Sequence, residues 1–165
     1  MTTVYVNKRL GIALTDSRAT EEVPRYFLGH FPLTPLPKKT VVNQKAIYIH
    51  DRLFLATGSV SIINRVAQYF VTGVVPYIPN KKQSCECLLV GDEYSIKVTV
   101  VKGKFKKKVL FTKNDFYCIM GSGTKILFDL LKIDGTETAN DVIKQFRKVT
   151  RYDPYTDDNI NLYRI

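Results

Sequence analysis

Several features are scarce in this chain, and each scarcity excludes something. No stretch approaches the roughly 18 consecutive apolar residues that cross a bilayer, so no membrane span is expected. The N-terminal stretch carries Lys8 and Arg9 and lacks a long apolar core with a small-residue cleavage site, so no secretory signal is expected. There are three cysteines, Cys85, Cys87 and Cys118, an odd count that argues against a disulfide framework. None stands at metal-ligand spacing to either of the two histidines, His30 and His50, so neither a metal nor another cofactor is expected. Cys85 and Cys87 are two apart on an apparent strand and therefore share a face, as core thiols of a reducing compartment would. A cytoplasmic location follows as the expectation. Acidic residues are also few, 15 Asp and Glu against 25 Lys and Arg, which leaves a net charge of +10.

That charge is concentrated at Lys38-Lys39, Lys81-Lys82 and the run from Lys104 to Lys108. Such clusters attract anionic partners, but they also serve simply as solvated surface. Only Phe105 interrupts the lysines as a stacking aromatic, and no nucleic-acid motif accompanies them, so nucleic acid is not the favoured partner.

The 165 residues suit a single domain spanning 1–165, with no repeat and no low-complexity segment. Residues Thr3 to Lys8 and Leu10 to Asp16 alternate as strands around a turn at Asn7-Lys8-Arg9. A second pair, Val41 to Ile49 and Leu53 to Ala56, turns at His50-Asp51-Arg52. Between the pairs, VPRYFLGHFPLTPLPKK carries four prolines, Pro24, Pro32, Pro35 and Pro37. The prolines predict an irregular inserted loop at about 21–40, and its aromatics predict that it is packed rather than disordered. After Gly58 the apolar positions Ile62, Ile63, Val66, Tyr69 and Phe70 follow a helical period, ended by Val75-Pro76. Cys85 to Val90, Tyr94 to Val101 and Phe105 to Phe111 predict three strands with turns at Gly91-Asp92 and Lys102-Gly103. Phe116 to Met120 predicts a buried strand. A helix with Ile126, Leu127, Leu130 and Leu131 on one face follows, then a helix capped by Thr136 and a closing strand at Asn159 to Tyr163.

Polar residues sit at the ends of these elements in a definite order. Thr2-Thr3 begins the first strand and Asp16-Ser17-Arg18 ends the second. Lys45 lies on the third, and Thr57-Gly58-Ser59 leads from the fourth into the first helix. Gly121-Ser122-Gly123-Thr124 leads into the second helix, and Asp153 precedes the last strand.

In this order, and in KAIYIHDRLFLATGS, LLVGDEYSIKVTVVKG and YCIMGSGTKILFDLL, the chain resembles the proteasome β-subunits and the related bacterial proteasome-like peptidases. Both are N-terminal nucleophile hydrolases. The resemblance spans nearly the whole chain. It implies an α+β fold, a four-layer αββα sandwich of two mostly antiparallel sheets. It also implies a threonine peptidase in which Thr2, exposed by removal of Met1, is the nucleophile and its own amine the base. Lys45 would stand beside the hydroxyl as a cation and Asp16 would hold Lys45. Gly58 would supply an oxyanion-binding N–H, and Ser122 and Asp153 would orient the amine. His30 and His50 have no counterpart role. A peptide or protein substrate, a homo-oligomer and an unfoldase or other regulator are the implied partners.

The sequence departs from the family in three places. The 28 residues between Asp16 and Lys45 exceed the usual spacing. The 26 between Gly58 and Cys85 leave room for a reduced helical layer, one helix where the family has two. The serine that follows the last aspartate in the family has no clean match, Thr156 or Asp157 occupying that region. Two other functions fit the same residues. One is a catalytically inactive structural or binding protein that uses the basic surface for assembly, an acidic partner or nucleic acid. The other is an amidase acting on a small molecule.

Overall fold

A computed structural model describes residues 3–16, 46–112, 116–132 and 138–165, together with the backbone of 18–27, 31–41 and 133–134. The chain forms β1 (Thr3–Asn7), β2 (Ile12–Asp16), β3 (Arg18–Phe27), β4 (Phe31–Val41), β5 (Ala46–Ile49) and β6 (Arg52–Gly58) before its first helix, α1 (Val60–Thr72). It continues through β7 (Cys85–Leu89), β8 (Tyr94–Val101), β9 (Lys104–Phe111), β10 (Tyr117–Gly121), α2 (Thr124–Asp134), α3 (Ala139–Val149) and β11 (Ile160–Arg164).

Two antiparallel sheets form the centre, one in the order β10-β1-β2-β11 and the other β5-β6-β7-β8-β9. Strand alternation sorts the side chains into layers. Val4, Val6 and Ala13 meet Leu53, Leu55, Leu88 and Met120 between the sheets. The intervening Tyr5, Ile12 and Leu14 point the other way, onto Leu127, Val142 and Phe146 of α2 and α3. On the second sheet, Phe54, Ala56, Cys87 and Val98 turn outward onto Ile62 and Val66 of α1. The result is an α+β sandwich of four layers, α1 on one side and the α2–α3 pair on the other. The reduced helical layer is real: Gly73 ends α1 in a left-handed conformation, and Gly73 to Ser84 returns to β7 without helix or strand. No helix among the described residues is long and apolar enough to cross a membrane.

Three local expectations fail. The proline-rich segment is not irregular: β3 and β4 pair as a separate two-stranded ribbon. Its register breaks between Val23↔Leu36 and Arg25↔Leu33, which leaves Pro24 and Pro35 outside the pairing. Proline is forbidden only where its missing N–H would bond a neighbour, and a two-stranded ribbon turns half of its N–H groups to the outside. The third helix is capped by Thr138, not Thr136. Thr138 accepts from the Asp141 N–H, and Asp141 accepts from the Thr138 N–H in return. Finally, β10 is only half-buried, because it is the outer strand of its sheet, and Tyr117 on it is exposed.

Candidate active site

The β10–α2 turn and the segment after α3 come together at the start of β1. Thr3 opens β1 opposite Gly121, and its side chain is fully buried. The Gly123 N–H donates to Thr3 Oγ1 at 3.1 Å, and Thr3 Oγ1 lies 2.7 Å from Thr156 Oγ1. Thr156 Oγ1 in turn donates to Asp153 Oδ2 at 2.6 Å. Ser122 Oγ donates to the same oxygen at 2.5 Å, and the Tyr155 N–H donates to Asp153 Oδ1 at 3.1 Å. A hydroxyl has one proton, so Thr156, which gives its proton to the carboxylate, must accept one from Thr3. The network therefore has a single direction, Thr3 to Thr156 to Asp153, with Ser122 donating to the same end. Hydrogen bonds onto a carboxylate are the shorter and stronger kind, which suits these distances.

Local structure explains the arrangement. Fully buried Val149 anchors the end of α3, and the Asp153 N–H donates back to its carbonyl at 2.8 Å, folding Asp153 under the helix end. Gly121, with φ of +98°, turns the chain from β10 toward α2. At Gly123 a Cβ would stand 2.3 Å from Thr3 Oγ1 and 2.6 Å from Val149 Cγ1, so the close approach needs glycine.

Asp16 ends β2 opposite Ile160 and is fully buried. Burying a carboxylate is costly unless a cation or several donors face it. Gly58 ends β6 on the other sheet, opposite Cys85, with φ of +113°. A Cβ there would lie 2.3 Å from the Ser84 carbonyl oxygen, so both conformation and crowding require glycine. The two sheets are tied at this end by Glu86, whose Oε2 accepts from the Gly121 N–H at 3.3 Å while Oε1 pairs with Lys97 Nζ at 3.1 Å. Glu86 stands opposite Thr57, next to Gly58, and so links the Gly58 turn to the Gly121-Ser122-Gly123 turn.

Of the residues that the sequence marks, Ser122 and Asp153 are thus bonded directly, and Asp16 and Gly58 end strands of facing sheets. Thr2 and Lys45 lie outside the described residues, although β1 starts immediately after Thr2 and β5 immediately after Lys45. His50 occupies the β5–β6 turn with a positive φ, as a loop residue; His30 is outside the described residues. Sequence reasoning missed Thr3 and Glu86. Glu86 had a signal, a lone charge within the otherwise apolar CECLLV; Thr3 had none beyond its place beside Thr2. Among the described residues no group of three His, Cys, Asp or Glu side chains is disposed to hold a metal.

Solved structures of this architecture exist. Eukaryotic HslV from Trypanosoma brucei superposes with a TM-score of 0.58 at 14% identity, over 98% of this chain and 97% of that one. BPH from Thiobacillus denitrificans, in a complex with epoxomicin, gives 0.57 at 11% identity, over 99% and 97%. The fold is that of the proteasome-like N-terminal nucleophile hydrolases. No protein-family model matches the sequence, and no curated protein matches it either. The proteasome-like fold is therefore visible in the path of the chain, while pairwise sequence identity has fallen to a level that does not transfer an activity.

Proposed function

We propose that this protein is a threonine peptidase that hydrolyses peptide bonds with Thr2 as nucleophile once Met1 is removed. The observation that carries the proposal is the network of half-buried Ser122 with buried Asp153, Thr156 and Thr3 beside the start of β1. An aspartate and three hydroxyls placed there fit the task of orienting an N-terminal amine and relaying its proton. Thr3 itself is unsuited to attack, since its hydroxyl is buried and committed at both ends.

In the proposed reaction the Thr2 amine takes the hydroxyl proton as Oγ1 attacks the scissile carbonyl. The oxyanion is held by the Gly58 N–H. Collapse expels the amine half of the peptide, which receives the proton, and water then hydrolyses the ester on Thr2. Lys45, aimed by Asp16, would favour the alkoxide and lower the basicity of the amine. The full burial of Asp16 is compatible with this role, because a buried carboxylate is held by a cation or by several donors. A homo-oligomer and an unfoldase or other regulator belong to this proposal as partners, and a cytoplasmic location with it.

Peptide hydrolysis measured on the processed protein tests the proposal. Thr2→Ala should abolish turnover and Thr2→Ser should keep part of it. Equal turnover by Thr2→Ala and the parent would overturn it.

A further inference from the structure

The β8–β9 hairpin, Tyr94 to Phe111, holds six lysines and no acidic residue. A second run joins it from elsewhere in the chain: a Cβ on Gly103, at the hairpin turn, would lie 3.2 Å from Lys81 Cγ, so Lys81-Lys82 borders the turn. Among the described residues Lys104, Lys106, Lys107 and Lys108 form no ion pair, and all four are exposed. The strand beneath them is the outer strand of the five-stranded sheet, with no partner on its outer edge among the described residues.

The two faces of β9 differ. Phe105 pairs with Val100, which packs toward α1, and the Phe105 ring meets Tyr69 of that helix with centroids 5.0 Å apart. Alternation places Lys107, Val109 and Phe111 on the same side, Phe111 being 81% exposed. Lys104, Lys106 and Lys108 occupy the opposite face. Lysine on an edge strand commonly blocks pairing with another copy, and self-pairing here would set lysine against lysine. The same array attracts a strand of opposite charge. An edge that offers backbone groups, a face of Lys104, Lys106 and Lys108, and an opposite face of Phe105, Val109 and Phe111 interrupted by Lys107 is complementary to an extended acidic chain with apolar residues.

We propose that the β9 edge is a docking site for an extended acidic peptide segment that adds as a sixth strand, with acidic side chains over Lys104, Lys106 and Lys108 and apolar ones over Val109 and Phe111. The peptide is favoured over nucleic acid because only a peptide uses the free backbone edge. The docking edge shares no residue with the Ser122–Asp153 network and stands whether or not Thr2 is a nucleophile.

The test uses the full chain and three probes of equal charge. One is a peptide alternating Glu and Val over about eight residues, a usual strand length. One is the same peptide with prolines that block backbone pairing, and one is a single-stranded oligonucleotide. The alternating peptide should bind at low salt, weaken about tenfold or more at physiological ionic strength, and outbind both other probes by a similar factor. Lys106→Glu with Lys108→Glu should lose that binding, while Lys144→Glu with Arg147→Glu on α3, an equal change of net charge elsewhere, should keep it. Thermal melting checks that both variants remain folded. Three results would overturn the proposal: no binding of the alternating peptide at low salt, equal binding of the proline peptide or the oligonucleotide, or equal loss in the α3 variant.

Discussion

Ser122 Oγ and Thr156 Oγ1 share one oxygen of Asp153, at 2.5 and 2.6 Å, and through Thr156 the carboxylate reaches Thr3 at the start of β1. Three segments far apart in sequence, 3, 121–123 and 153–156, are thereby locked at one point.

Thr3→Val keeps the shape of the side chain and removes its hydroxyl. It leaves the buried Gly123 N–H without its acceptor, so stability should fall by about 1–3 kcal/mol in chemical denaturation. An unchanged midpoint and slope would mean that the hydroxyl chain contributes nothing.

Gly123→Ala introduces a methyl that cannot fit against Thr3 Oγ1 and Val149. Overpacking of this kind costs about 1–3 kcal/mol. Combining it with Val149→Ala should recover less than the whole loss, because the contact with Thr3 remains. Full recovery would show that Val149 alone sets the crowding.

The Lys97–Glu86 pair is partly exposed, and pairs of that kind contribute about 0–1 kcal/mol. Lys97→Met should therefore change stability little. Leu88→Ala, at a fully buried position between the sheets, should cost about 2–5 kcal/mol. Loss of comparable size at both positions would show that the Lys97–Glu86 pair contributes far more than a partly exposed pair does.

Turnover should depend on pH through the Thr2 amine. The amine must be neutral to take a proton, and its unperturbed pKa is about 7.7–8.0. A neighbouring lysine cation lowers that value. Plots of kcat/KM should rise with pH with a midpoint below about pH 8, and Lys45→Met should move the rise upward while cutting the rate. A rise that stays in place in Lys45→Met would remove Lys45 from the vicinity of the amine.

Much of the fold was legible because alternation is a direct readout of layers. Val4 and Val6 against Tyr5, and Leu53 and Leu55 against Phe54, declare two buried faces, which a strand between a sheet and a helix must have. The single helix between Gly58 and Cys85 followed from the space available. The β3–β4 ribbon was not legible, since proline excludes a strand only when its N–H side faces a partner, and that depends on pairing. Thr138 was legible in principle: Asp141 three residues later completes a capping box that Thr136, followed at that spacing by Ala139, does not have.

The site was legible in part. Ser122 and Asp153 were marked by position, and the structure bonds them. Thr156 stood only as one of two residues in the right region. Its role depends on the turn after α3, which brings its hydroxyl back to Asp153, and no periodicity encodes that return.

The most direct measurement is intact mass with site mapping after incubation with a peptide boronate, a β-lactone or epoxomicin, the compound bound by the Thiobacillus denitrificans protein. The account predicts that Met1 is absent and that the label sits on Thr2, with none on Thr3. Retained Met1 together with an unlabelled Thr2 would contradict it, and the proteasome-like fold would then serve another function.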